Sequence, residues 1–236
     1  MLPLRDNVPT RTFPVVTVGL IVANVLAYFF FQDGGLTAPQ RPILEYAFQP
    51  CEVNDSCPVQ GEDWPLTSFT SMFMHGDITH LGGNMLFLWI FGNNVEDILG
   101  RVRYIVFYLL AGYAATALQT VVTLETSPGS ADIPNLGASG AISGVLGAYL
   151  VFLPHASVLT AIILGFIFFL REIPAVFFLG IYFLFQLWNA GFQFLYPPQG
   201  GGVAVFAHIG GFLFGLAAGF LFRGRARARP PGPVYG

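Results

Sequence analysis

The segment Phe13–Phe31 runs nineteen residues without a charged side chain, and the chain repeats that pattern. Tyr104–Leu124, Pro174–Leu195 and Val203–Phe222 are equally free of Asp, Glu, Lys and Arg, as is the shorter Leu136–Leu153, which Pro154 ends. A hydrocarbon core about 30 Å thick takes roughly 20 apolar residues as a helix. Within it every backbone N–H and C=O must find a partner in the protein, which leaves only helices and closed barrels. Runs of this length without strict alternation select helices. Leu81–Leu99 is a sixth candidate, interrupted by Asn84, Asn93, Asn94, Glu96 and Asp97. Charged residues make up 10% of the chain, against about 25% in soluble domains. An ordinary soluble globule is therefore excluded, and neither nucleic acid, metal nor cofactor is expected as a partner.

Val158–Leu170 is apolar but only thirteen residues long, which suits a re-entrant or interfacial segment better than a span. Charge decides how to count it. All ten basic residues are Arg. With six spans and both ends inside, the inner segments hold Arg5, Arg11, Arg101, Arg103, Arg171, Arg223, Arg225, Arg227 and Arg229, and only Arg41 lies outside. A seventh span would split these nine Arg between the two sides, against the positive-inside rule. The expected architecture is all-α: a bundle of six transmembrane helices over residues 13–222, with a long first outer loop at about Gln32–Ser71. An inner segment, residues 1–12, precedes it, and a basic inner tail, residues 223–236, follows. Arg5 and Arg11 before the first run, with no small-x-small cleavage site after it, mark a retained span. The spacing of Cys51 and Cys57 is compatible with a disulfide in an oxidising compartment and equally with two free thiols.

Against this apolar background a few polar residues stand out. Ser139, in Gly137-Ala138-Ser139-Gly140, opens the fourth run. His208, in Ala207-His208-Ile209-Gly210-Gly211, lies just inside the sixth, and His80 and Asn84 lie four apart at the start of the second. An ionisable group within a span marks a functional site by default. Serine becomes a nucleophile when a base takes its proton, and histidine is the usual base. Side chains at i and i+4 share a helix face, so His80 and Asn84 can together donate hydrogen bonds to an oxyanion. The Ser139 N–H, at the positive end of its helix, can add a third. No carboxylate is placed to orient His208, which favours a dyad over a triad. Gly140 and Gly144 on one run, and Gly211 and Gly215 on another, begin beside the two reacting residues. Small residues four apart let membrane helices approach closely.

Simpler roles exist for single residues. Glycine–serine clusters are common packing material in spans, and a lone histidine can be a proton relay. Ser143 reads as a serine bonded back to its own helix, and His75 and His155 as interfacial. Asn24, Gln119, Gln186 and Asn189 read as glue between helices. A transporter would need an internal repeat or paired carboxylates at the midplane, and neither is found.

Taken together, Met74–Met85 (containing His75, His80 and Asn84), Gly137–Gly140 and Ala207–Gly211 resemble the rhomboid family of intramembrane serine proteases; Glu96 and Gly100 fit the same likeness. The resemblance implies a Ser139–His208 dyad with His80, Asn84 and the Ser139 amide as oxyanion hole, and a fifth helix acting as substrate gate. It further implies cleavage within or near the transmembrane segment of a membrane-protein substrate, at small residues, in a cell (inner) membrane. Both termini would be cytoplasmic and the active site open to the outer side. The alternative is a catalytically silent protein of the same fold that binds membrane clients. Two departures stand out: Pro65 follows Trp64 where the family often has Arg, and Ser143 stands where some bacterial members have Tyr.

Overall fold

A computed structural model describes residues 2–58, 62–164, 167–195 and 204–227. The chain opens with strand β1 (Leu2–Asp6), then helix α1 (Val15–Leu26), which continues as a π-helical turn through Phe31. Short helices α2 (Gln40–Tyr46) and α3 (Trp64–Thr70) lie in the first long loop. Helices α4 (Ile78–Phe87) and α5 (Asn93–Leu99) are joined end to end by a π-helical turn, Leu88–Gly92. Next come α6 (Arg101–Thr126) and α7 (Ser139–Phe152). Strands β2 (Ser157–Leu164) and β3 (Ile167–Pro174) precede α8 (Ala175–Leu195) and α9 (Val205–Arg227). Residues 228–236 of the expected basic tail lie outside the described residues.

The protein is mostly helical, and among the described residues three helices are long and apolar enough to cross a membrane: Arg101–Thr126, Ala175–Gln193 and Val205–Ala226. Val15–Phe31 and Ser139–Phe152 are apolar but shorter. Helix α7 is the centre: twelve of its fourteen residues are buried. A helix that is apolar on every side has this position as its stable solution.

The expectation of an all-α fold is corrected by a three-stranded antiparallel sheet in the order β1-β2-β3. Val158–Leu170, expected to be re-entrant or interfacial, supplies most of a β-hairpin in which Leu159 faces Glu172 and Thr160 faces Arg171. The β-branched Val158, Thr160, Ile162 and Ile163 favour a pleated strand, and Pro154 and Pro174 end the elements on either side. The N-terminal segment is part of this sheet, with Leu2 opposite Ala161 and Asp6 opposite Val158. Asp6 then ties the sheet to the helices: its Oδ2 accepts from Tyr149 Oη at 2.6 Å and from Asn94 Nδ2 at 2.8 Å.

At the same end, the carboxylates of α5 hold the start of α1. Buried Glu96 accepts from the Val16 N–H (3.0 Å), the Thr17 N–H (2.7 Å) and the Thr17 hydroxyl (2.8 Å). Asp97 accepts from the N–H groups of Arg11 and Thr12, each at 3.2 Å. A helix N-terminus has unpaired N–H groups and a positive dipole end, so a carboxylate there is doubly favourable. Gly100, at φ 79°, makes the sharp turn from α5 into α6 that a side chain would resist.

The opposite end is closed by the described residues of the long loop. Gln32 pins its two ends together, donating to the His75 carbonyl at 3.0 Å and accepting from the His75 N–H at 2.9 Å. Cys51 and Cys57 form a disulfide. The Cys51 N–H donates to the Ala131 carbonyl at 3.0 Å, the Asn135 N–H to Phe48 at 2.7 Å and the Gly137 N–H to Ser71 at 2.9 Å. The loop thus grips the segment that leads into α7.

Candidate active site

The first residue of α7 is Ser139, and the first turn of α9 carries His208. The two helices run parallel, since Gly211 meets Gly140 and Gly215 meets Gly144. Their axes are close because nothing but hydrogen stands between the backbones. A Cβ on Gly211 would lie 2.0 Å from the Gly140 carbonyl oxygen, and one on Gly215 would lie 1.9 Å from that of Gly144. Gly140 also lets α6 in, as its own Cβ would come within 2.7 Å of the Ala115 methyl. This approach places Ser139 Oγ 2.8 Å from His208 Nε2, a hydrogen bond of ordinary length.

Asp77 organises the third contributor. It precedes α4 and its Oδ1 accepts from the N–H groups of Thr79 and His80, each at 2.8 Å, so that the helix starts where His80 requires. The hydroxyl of Thr79 and these two amides hold the Asp77 carboxyl below its usual range. His80 and Asn84 face the backbone just ahead of Ser139. A Cβ on Gly137 would lie 2.8 Å from His80 Nε2 and 3.6 Å from Asn84 Nδ2. Gly137 has φ 120°, and only glycine fits both that conformation and that space. Ser139, His208, His80 and Asn84 thus converge on one end of the bundle, with Gly137, Gly140, Gly211 and Gly215 allowing the backbones and side chains around them to come close.

Behind Asn84 lies His75. Expected at the interface, it is fully buried, its ring 5.0 Å from that of His80. Burial, with His80 beside it, drives its pKa down to about 3, so it is neutral and its Nε2 accepts from Asn84 Nδ2 at 2.9 Å. That leaves the second N–H of Asn84 for another acceptor.

Three other polar residues differ from the sequence reading. Ser143 does not bond back to its helix; its Oγ lies 2.9 Å from the Tyr182 hydroxyl on α8. Asn24 and Asn189 donate within their own helices, to the carbonyls of Leu20 and Phe185, each at 2.7 Å. Gln119 does join helices, its Oε1 accepting from the Ala207 N–H at 3.2 Å. His155 is exposed in the turn after α7 and takes no part.

Gln186, read as generic glue, has a specific partner: its Oε1 lies 3.2 Å from His208 Nδ1. The sequence reading sought a carboxylate for that nitrogen and passed over a carboxamide. The available signal was Gln186 as a polar residue in an apolar span, one turn after Tyr182. On the α6 side of Ser139 a cleft of about 410 Å³, counting space open at its mouth, is lined by Ser71, Gly112, Ala115, Gln119, Asn135 and Ala207, among others. Among the described residues no cluster of His, Cys, Asp and Glu is arranged to hold a metal ion.

Residues 62–225 match the family model described as Rhomboid domain. The chain is 32% identical over 137 residues to the rhomboid protease GluP of Bacillus subtilis, covering 58% of this chain and 24% of that protein. It is 31% identical over 140 residues to the putative rhomboid protease YdcA of the same organism, covering 59% and 63%. Against the mitochondrial presenilin-associated rhomboid-like protein of Mus musculus it is 28% identical over 204 residues, or 84% of this chain and 46% of that protein. The chain therefore spans less than two thirds of the length of each of these relatives.

Proposed function

The chain belongs to the rhomboid family, and on that premise we propose that it is an intramembrane serine endopeptidase that cleaves membrane-protein substrates in or near their transmembrane segment. The observation that carries this reading is the 2.8 Å contact between Ser139 Oγ and His208 Nε2 at the start of two parallel helices. Ser139 Oγ attacks the scissile carbonyl carbon while its proton passes to His208 Nε2. The negative oxygen that results is met by the Ser139 N–H, His80 Nε2–H and the free N–H of Asn84. Collapse expels the amine, which takes the proton from His208. Water then enters, gives its proton to His208 and attacks the ester carbonyl; collapse releases the carboxyl product, and Ser139 Oγ takes the proton back from His208.

The proposed topology has six spans built on α1, α4–α5, α6, α7, α8 and α9. Sheet and termini lie on the cytoplasmic side of the cell (inner) membrane, and Ser139 opens to the outer side. The placement of Arg supports it, since Arg5, Arg11, Arg101, Arg103, Arg171 and Arg223 all fall at the sheet end of the chain's path. Residues 13–222 form the catalytic unit, between the N-terminal segment of residues 1–12 and the tail of residues 223–236. The small side chains of the cleft suit a small substrate residue before the cut, and its Ser71, Gln119 and Asn135 suit the water that hydrolysis consumes. The partners are a substrate transmembrane helix and the bilayer.

The test is cleavage of a single-span substrate by the purified protein in detergent and in lipid, beside Ser139→Ala. Cleavage lost in the variant supports the reading. Equal cleavage by both refutes it, and no cleavage by either, across several substrates in lipid, moves the assignment to a silent client-binding protein.

A further inference from the structure

We propose that Gln186 is a positioning residue for the reaction, its side-chain oxygen holding the His208 imidazole in the one tautomer whose Nε2 is free to take the Ser139 proton. This deepens the proteolytic reading above and rests on it. An imidazole has one N–H when neutral, and which nitrogen carries it is set by the partner of the other. A carboxamide oxygen 3.2 Å from Nδ1 can only accept, so the proton sits on Nδ1 and Nε2 offers its lone pair to the Ser139 hydroxyl at 2.8 Å.

Gln186 is 8% exposed on α8. One turn earlier on the same helix, the Tyr182 hydroxyl lies 2.9 Å from Ser143 Oγ on α7. With the Gln186 oxygen toward His208, Ser139 donates to His208 and His208 to Gln186. These contacts tie α7, α9 and α8 together at the site. Reversing the amide would set an N–H against the Nδ1–H. A carboxylate at this place would stabilise the imidazolium more, but an ion within a span is costly to bury. The carboxamide fixes the tautomer without that charge. Because Gln186 rides on α8, a displacement of α8 also frees His208.

The groups facing His208 from its neighbours are Ser139 on α7, Gln186 with Tyr182 one turn earlier on α8, and His80 on α4; α6 contributes the uncharged Gln119 to the preceding residue. The experiment combines kinetics with nitrogen-15 NMR of the four histidines in wild type, Gln186→Leu and Gln186→Glu. In wild type the His208 proton is expected on Nδ1. In Gln186→Leu the tautomers mix, and kcat falls about 10- to 100-fold with KM within about twofold, since the base is present but disordered. Gln186→Glu, which keeps the acceptor, recovers most of the rate and moves the acidic limb of the kcat profile up by about one pH unit or more. A wild-type proton on Nε2 overturns the proposal, as does a Leu variant with unchanged kcat and tautomer. If Ser139→Ala cleaves as well as wild type, proteolysis by Ser139 fails, while the tautomer measurement still decides the role of Gln186.

Discussion

Replacing Gly211 or Gly215 with alanine tests whether the contact between α7 and α9 sets the reacting geometry. The added Cβ would sit 2.0 Å from the Gly140 oxygen in the first variant and 1.9 Å from the Gly144 oxygen in the second. Contact between non-bonded heavy atoms becomes comfortable near 3.5 Å, so each helix pair must separate by about 1.5 Å. The obstructing atoms are backbone carbonyls inside helices and have no rotamer by which to yield. Gly211 lies one turn beyond His208, so the separation passes almost undiminished to the 2.8 Å bond with Ser139 and stretches it to about 4 Å, beyond any hydrogen bond. The expected loss in kcat/KM is about 100-fold or more, because misplacement by 1 Å in a reacting group is worth about that factor. Stability should fall by only about 1–3 kcal/mol, the usual cost of overpacking. Gly224→Ala and Gly180→Ala, where a Cβ meets nothing within 4 Å, are the controls. The assay is cleavage of a single-span substrate together with fluorophosphonate labelling of Ser139 and a thermal melt. Near wild-type cleavage by folded Gly211→Ala and Gly215→Ala would refute the argument that helix approach sets the dyad.

Other perturbations separate the scaffold from the chemistry. Glu96→Ala leaves two amides and the Thr17 hydroxyl without their acceptor and should cost about 3 kcal/mol or more in a denaturation titration, with Glu96→Gln intermediate. Asp77→Ala removes the cap of α4 and should cost about 1 kcal/mol while lowering cleavage through His80. The Asp77 carboxyl titrates below its unfolded value, so its contribution is complete at neutral pH and is lost as pH falls through the folded value; a melt series from neutral to acid pH should show that loss in wild type and not in Asp77→Asn. Reduction of the Cys51–Cys57 disulfide opens a short loop and should lower stability by about 2 kcal/mol in a melt with and without reductant.

What could be read from the sequence depended on whether the signal was local. Apolar runs mark helices because membrane helices satisfy their own backbone, and α6, α8 and α9 lie where those runs lie. Ser139, His80, Asn84 and His208 stand out for the same reason: polar side chains are conspicuous in apolar sequence. The sheet was not legible because a thirteen-residue apolar segment has the same composition whether it lies in an interface or forms a hairpin. Its decisive partner, β1, is more than 150 residues away in the chain, opposite β2 at Leu2–Ala161. The fates of His75 and Ser143 were hidden likewise. Whether a polar group bonds to its own helix or to another depends on which neighbours arrive, and Tyr182 reaches Ser143 from 39 residues away.

The arrangement of helix ends also explains why Ser139 sits where it does. Helices α4, α7 and α9 all bring their N-termini to the site, so three positive dipole ends converge on the place where the proposed reaction would develop negative charge. They are not equivalent. At α4 the Asp77 carboxylate takes the first amides, and at α9 the Gln119 oxygen takes the Ala207 N–H. At α7 the residue before the helix is Ala138, and no side chain caps it. The first N–H groups of a helix lack partners within it, so an uncapped N-terminus is unfavourable unless something else accepts from it. A capping Ser, Thr, Asp or Asn sits in an extended conformation, whereas Ala138 is helical at φ −66° and ψ −12° and fully buried. A larger polar side chain there has neither the geometry to cap nor the room to fit, and it would crowd the amides that the proposed oxyanion needs. Ala138→Asp should therefore lower both stability and cleavage, read in a thermal melt and a substrate assay. A folded and fully active variant would show that the α7 amides take no part in the reaction.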